Sequence, residues 1–568
     1  MSTVTTVITS YPPTADLLEA RLSVSFTYYL NMLERIPGGL IILRYIRSSY
    51  KNDPIRSVLE LILFLFAVHY FLSSKRKENK SDLVKFSGRE VDELNEEWQP
   101  APIVEPVGPL EHWRLNEYHV KGHSGSHVEI EQKPELGTVV NLSSLDFLDL
   151  SGDSRMKAAA MDVISNAGVG SCGPPNFYGT QDVHVRLEED LTRFLDAENA
   201  ILYGQDFVVA GSVIPAFLKR GDLAVVDSGV NVALQKALVV SRCDIEWYDH
   251  NDMEHLEQIL EELDPILSKK KPLKRRFIIT EGLFSYSGAL LDLPKMVELK
   301  NKYKYRLFID ESLSIGTLGD TGRGVCEHFG IPRSEVAITI GSLATTFASS
   351  GGFCVGVAPM VQHQRINSYA YVFSASLPPY SSKVASEAIK IITESVDASG
   401  KSKLIKSLHQ KVAHSYSKLQ KKFANSQYFE VVSDGNGPII HLALKPAFRA
   451  SLDLPDYYGN TVLLTTGKPS RKLNQFSEEY NLECYILQQI VDNVLGAYRA
   501  WINREKIVYE QESLPVQNPR LWFHVNNGVL VAELDAAIGA LFDVSNKVCS
   551  RLRSPNDLTK LREELMRA

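Results

Sequence analysis

A chain of 568 residues that is 44% hydrophobic and 9% aromatic carries enough apolar material for two or three packed domains, which excludes a disordered protein. Its formal charge of -7 is small for the length, and acids and bases are interspersed, so no basic footprint for nucleic acid is present. Six cysteines (Cys172, Cys243, Cys326, Cys354, Cys484, Cys549) form no C-x-x-C pair and no zinc-spaced cluster, which points to a reducing compartment and no structural metal.

The opening MSTVTTVITSYPPTADLLEA lacks the basic start and continuous apolar run of a secretory signal. Next, SFTYYLNMLERIPGGLIILRYIRSSY mixes aromatics, leucines and arginines around a Pro-Gly-Gly break, a composition suited to a helix in the headgroup plane or packed on the large domain. Residues 1–53 are read as this amphipathic, interfacial segment. Residues 54–73 just reach the roughly 20 mostly apolar residues that a spanning helix requires, and are read as a transmembrane helix, with an interfacial or core helix as the alternative. Glu60 inside it is costly in lipid and is expected near the headgroups or against another protein helix. Basic residues balance across the segment, so they do not set its orientation.

After a charged linker at 74–107, short β-branched runs alternate with helical periods from 108 to 400. FLDAENAILYG, DLAVVDSG, RRFIITEGLFS, YRLFIDESLS and VAITIGSL each read as a buried strand, which predicts a mostly parallel α/β sheet with functional loops at the strand C-terminal ends. From 401 to 568 the texture predicts a smaller α+β domain: helix, the strand in GPIIHLALKP, a polar insert, the strand RLWFHVNN and the helix AELDAAIGALFDVSNKV. The basic run KKKPLKRR, Lys269 to Arg276, reads as a solvated loop, or as a contact for lipid headgroups or CoA phosphates.

Asp310 ends an apolar strand, a position from which a carboxylate could hold a protonated pyridine nitrogen or simply cap the next turn. Taken together, GSCGPPNFYGTQDVHVRLEEDL, ILYGQDF, EGLFSYSGALLDLP, LFIDESLSIGTLGDTGRG, GSLATTFASSGGF and YVFSASLPP resemble, in order and spacing, the α-oxoamine synthases. EEWQPAPIVEPV, CGPPNFYGTQDVH, HNDMEHLE and the Pro-Gly-Gly stretch at Ile36 to Gly39 are most similar to the first long-chain-base subunits of eukaryotic, fungal-type serine palmitoyltransferases.

The resemblance implies a fold-type I pyridoxal-phosphate transferase: a mostly parallel seven-stranded large domain and a smaller C-terminal domain. It also marks departures. The position of the Schiff-base lysine is Thr345, whose hydroxyl cannot form the imine. Leu313 replaces a histidine near the cofactor ring, and Asn231 replaces the histidine that stacks on it. Gln205 and Asp206 stand in the phosphate turn, where a carboxylate opposes a dianion. Trp522 replaces the arginine that clamps the amino-acid carboxylate. His184, Asp310 and Arg323 match family positions, each with a purely structural role as the alternative. Ser374 matches a serine that reaches the phosphate of the other subunit, and Cys172 and Tyr178 are expected near the same interface.

What the resemblance implies is therefore a required but non-catalytic subunit of an obligate heterodimer. Its partner would be a catalytic serine palmitoyltransferase subunit that binds pyridoxal 5'-phosphate covalently and joins L-serine to palmitoyl-CoA, giving 3-ketodihydrosphinganine. A small activating subunit, Orm-family regulators and the endoplasmic reticulum membrane, with the large domain facing the cytosol, follow from the same resemblance. Two alternatives remain: a purely regulatory scaffold, and a self-sufficient synthase. The latter lacks a nucleophile in the aligned region, because no lysine lies between Lys304 and Lys383.

Overall fold

All five of the strand-like runs form strands of one sheet, joined by two that their own sequences conceal. The computed structural model describes residues 32, 37–78, 86–98, 103, 106–268, 274–456, 458, 478–506 and 518–567. The strands are β1 (Asn199–Tyr203), β2 (Leu223–Asp227), β3 (Asp244–Tyr248), β4 (Arg276–Glu281), β5 (Arg306–Asp310), β6 (Ile338–Ser342) and β7 (Gly352–Gly356). Their order across the sheet is β1-β7-β6-β5-β4-β2-β3. Strands β2 to β6 pair in parallel, and β7 runs antiparallel to both neighbours.

Side-chain alternation divides this sheet between two apolar layers. Along β1, Ile201 and Tyr203 enter one layer while Ala200 and Leu202 enter the other, the period of two that a strand buried on both faces imposes. Helices Phe207–Phe217, Val232–Ser241 and Leu293–Tyr303 contribute to the first layer; Asp182–Leu195, Pro379–Glu394 and Lys403–Phe423 contribute to the second. The C-terminal ends of β2, β4, β5 and β6 therefore share one edge, and each ends on a polar group: Asp227, Glu281, Asp310 and Ser342.

The second half adds an antiparallel sheet in the order Phe429–Val431, Ile439–Leu444, Arg520–His524, Asn503–Arg504. A third sheet pairs Thr138–Asn141 in parallel with Ala500–Trp501, tying an early strand to the last third of the chain. Residues from Pro106 onward make one compact unit and those up to Glu105 another.

In the N-terminal unit, helix Gly39–Asn52 starts directly after Gly38, whose φ of 88° is the left-handed turn that the Pro-Gly-Gly break supplies. Pro54–Leu72 is long and apolar enough to cross a membrane, and none of it is buried against the described residues. Glu60 accepts from Arg56 Nε at 3.0 Å, one helical turn back toward the N-terminal end, so its charge is paired near the start of the apolar helix. The charged linker contains a helix, Gly88–Glu97, begun by a capping box between Ser87 and Glu90 and exposed along its length. Much of the expected interfacial segment, the polar insert of the C-terminal region and the first five residues of KKKPLKRR lie outside the described residues.

Candidate functional site

At the C-terminal ends of β4, β5 and β6 lies a cavity of about 320 Å³, the place where parallel sheets bind ligands. Its walls bring together Asp206, Asn231, Asp310, Leu313 and Trp522 from the sequence reading, and no lysine or arginine lines it among the described residues.

Strand β5 delivers Asp310 to this cavity at 6% exposure. One carboxylate oxygen accepts from Asn231 Nδ2 at 2.9 Å, and the other from the backbone N–H and hydroxyl of Ser312 at 2.9 and 2.6 Å. Burial raises its pKa, opposed by these bonds. Glu281, at the end of β4, accepts from the N–H groups of Asn231 at 2.6 Å and Ser285 at 3.1 Å. Burial, reinforced by Asp310, pushes the Glu281 carboxyl well above the ordinary range. Asn231 thus binds both carboxyls while its own Oδ1 caps helix Val232–Ser241 at the N–H of Leu234, 3.1 Å away. The bond to Glu281 comes from the Asn231 backbone, and the Asn231 amide supplies the donor to Asp310 and the acceptor for Leu234.

Asp206 caps helix Phe207–Phe217, accepting from the Phe207 N–H at 2.8 Å and from the Ser342 hydroxyl at 3.0 Å. A helix N-terminus favours an anion, and here the Asp206 carboxylate supplies one. Thr345 is 6% exposed and donates its hydroxyl to the Ser312 carbonyl at 2.9 Å, closing the loop after β6 onto the loop after β5. Leu313 packs against the second apolar layer.

Trp522 stacks against both His441 and His524, with centroids 5.9 and 5.4 Å away and planes within 11° and 21°. His441 Nδ1–H donates to the Tyr286 carbonyl at 2.9 Å, and His524 Nδ1–H to the carbonyls of Ser143 and Ser144, both at 3.2 Å. Burial pushes His441 well below its ordinary value, assisted by Arg520, and holds His524 down at about 4. Neutral rings therefore stand where the sequence reading expects the carboxylate clamp. The unfolded chain takes a proton on this histidine near pH 6.5 while the folded chain excludes it, so stability falls as pH drops from about 6.5 to about 4, by about 3 kcal/mol. His524→Gln is expected to remove that part of the slope in urea midpoints measured across the window.

Thr345 and the remaining predicted positions lie outside the cavity lining. His184 is buried in the first turn of helix Asp182–Leu195; its Nδ1 accepts from the Gln181 N–H at 2.9 Å and its Nε2–H donates to the Leu377 carbonyl at 2.6 Å. Both bonds need a neutral ring, in keeping with a pKa that burial lowers. Arg323 is exposed beside Lys383 and Glu387 on another surface, and its carbonyl accepts from Arg333 at 2.6 Å. Ser374 is exposed immediately after helix Tyr369–Phe373. Cys172, exposed at φ 57°, accepts at its carbonyl from the Tyr178 hydroxyl at 3.0 Å. Ser376 binds the two loops together by donating its N–H to the Gly173 carbonyl at 3.0 Å. Phe177, Tyr178, Tyr369 and Phe373, 62 to 72% exposed, stand on these two segments as an aromatic surface of the composition that interfaces favour.

The aminotransferase class I and II family profile matches residues 137–447. Serine palmitoyltransferase 1 of Saccharomyces cerevisiae is 41% identical over 507 residues, covering 86% of this chain and 89% of its own. The belonging is decided by that match. The chain belongs to the serine palmitoyltransferase 1 family. A second member, from Dictyostelium discoideum, is 34% identical over 460 residues, covering 81% of this chain and 88% of that one. In fold, the chain matches the Sphingomonas wittichii serine palmitoyltransferase structure at a TM-score of 0.59 and 17% identity, over 82% of this chain and 99% of that one.

A solved serine palmitoyltransferase of this fold carries a pyridoxal-phosphate internal aldimine, yet the cavity of this chain does not fit that group. The groups at the expected anchors oppose it: Thr345 is not an amine, the Asp206 carboxylate sits at the helix N-terminus where a phosphate is expected, and Asn231 and Ser312 bind Asp310. Glu281, Ser312 and His524 were not singled out from the sequence. Glu281 had a detectable signal, an acid closing the apolar run RRFIITE; the other two become significant only through Asp310 and Trp522.

Proposed function

We propose that this chain is the non-catalytic, required subunit of serine palmitoyltransferase, the complex that condenses L-serine with palmitoyl-CoA to 3-ketodihydrosphinganine at the start of sphingolipid synthesis. The observation that carries this reading is Thr345, buried and bonded to Ser312 on the wall of a cavity that no lysine or arginine lines among the described residues. Pyridoxal phosphate belongs to a lysine-bearing partner subunit, which this chain stabilises and completes.

The exposed aromatic residues around Ser374, with Cys172 and Tyr178, form the face toward that partner. Its Ser374 hydroxyl is a donor for the partner's cofactor phosphate, and the His184 clamp positions the Leu377 loop that follows it. Helix Pro54–Leu72 anchors the chain in the endoplasmic reticulum membrane with the compact unit on the cytosolic side, and is the candidate contact for a small activating subunit and Orm-family regulators.

The purified chain titrated with pyridoxal phosphate is expected to show no Schiff-base absorbance, and Thr345→Lys alone is expected to restore none, because Asp206 and Trp522 remain. A Schiff-base band in the unsubstituted chain, reducible to a stable adduct, contradicts the reading.

A further inference from the structure

A second hollow, about 510 Å³, lies at the opposite edge of the sheet, by the N-terminal ends of β4, β5 and β6 and the end of β7. Phe217, Phe277, Val336, Ile338 and Met360 give it an apolar floor. Its ionisable lining is Arg275, Arg306 and His363, with no carboxylate among the described residues, in a chain whose net charge is -7.

The three basic groups differ in what they can offer. Arg275 is exposed and donates one guanidinium N–H to the Phe217 carbonyl, which fixes it on the rim with other donors free. Arg306 is exposed, and its side chain makes no ion pair among the described residues. His363 donates Nε2–H to the Ala216 carbonyl at 2.9 Å and lies against Phe217, centroids 5.1 Å apart, so it extends the apolar floor. Neighbouring Lys274 and Arg276 are paired with Asp244 at 3.0 Å and Asp264 at 3.8 Å, leaving Arg275 and Arg306 as the pair that faces outward. An apolar trough with two cations on its rim complements one molecular shape: an alkyl chain carrying an anionic head.

We infer that this hollow seats an anionic phospholipid of the bilayer, an acyl chain along Phe217, Phe277 and Met360 and its phosphate between Arg275 and Arg306. The bilayer is the source because the same chain carries Pro54–Leu72, so the inference rests on the membrane reading above.

The test uses the assembled complex in nanodiscs containing phosphatidylserine with a diazirine in one acyl chain, irradiated and mapped by peptide mass. Adducts are expected on the peptides carrying Phe277 and Met360. Arg275→Glu combined with Arg306→Glu is expected to reduce them at least fivefold with activity unchanged, the milder Arg306→Gln about twofold, and a phosphatidylcholine probe to label at least fivefold less. Groove peptides without adducts, equal labelling by both lipids, or labelling indifferent to the arginines overturns the inference. Adducts on Pro54–Leu72 in the same sample report the membrane reading separately, so failure of one is distinguishable from failure of the other.

Discussion

Ser374→Ala, introduced into this chain alone, is expected to lower the activity of the assembled complex at subsaturating pyridoxal phosphate by about 10- to 100-fold, and to be partly rescued by excess cofactor. A hydrogen bond to a charged group contributes about 1.5–3 kcal/mol, and each 1.4 kcal/mol is a factor of ten in affinity. The residue is exposed after helix Tyr369–Phe373, so its loss leaves no buried group unpaired and the fold of this chain intact. The effect is therefore separable from stability. A complex that keeps full activity and cofactor occupancy at all concentrations favours the scaffold reading, in which this chain lends nothing to any site.

Gly179→Ala is expected to have the larger structural effect. A Cβ there meets the Gly173 carbonyl oxygen at 2.0 Å and Ser376 Oγ at 2.4 Å. Neither can swing away, because Ser376 binds that same carbonyl through its N–H at 3.0 Å and its hydroxyl at 3.2 Å. Overpacking against fixed atoms costs about 1–3 kcal/mol or more, and here it separates the two loops that carry the exposed aromatic face. Complex recovered by co-purification should fall at least fivefold, with a lower melting temperature. Gly211→Ala is the control: its Cβ meets nothing within 4 Å inside helix Phe207–Phe217, so it should be neutral or stabilise by about 0.5–1 kcal/mol. Equal behaviour of the two variants contradicts the loop-packing argument.

The parallel core of the fold was legible because β1, β2, β4, β5 and β6 are continuous apolar runs, as burial on both faces demands. Strand β7 was not. It begins at Gly352 and ends at Gly356, and looks like loop until its packing is known: a Cβ on Gly352 meets Val209 at 2.5 Å, and one on Gly341 in β6 meets the Phe353 ring at 2.5 Å. Glycine there serves close approach between strands and the helix above them. Strand β3, DIEWY, is an edge strand with alternating exposure, and its acids at 244 and 246 weaken the apolar signal.

At the site, motif spacing located the wall residues, since Asn231, Asp310 with Leu313, and Trp522 converge on one cavity from three separate segments. What spacing could not give is how the replacements compensate one another. Asn231 binds Glu281 and Asp310 from 50 and 79 positions away, and Trp522 stacks on His441 from 81 positions away as well as on His524 two residues on. Such bonds exist only in three dimensions. They also explain how the cavity keeps two buried acids without an external partner: both have internal donors.

The central claim is that the chemistry resides on another chain. Its most direct measurement is borohydride reduction of the purified complex with pyridoxal phosphate, followed by peptide mapping of the reduced adduct. The account predicts a label confined to a lysine of the partner subunit and none on this chain. A pyridoxyl label on any lysine of this chain, at stoichiometric yield, contradicts it.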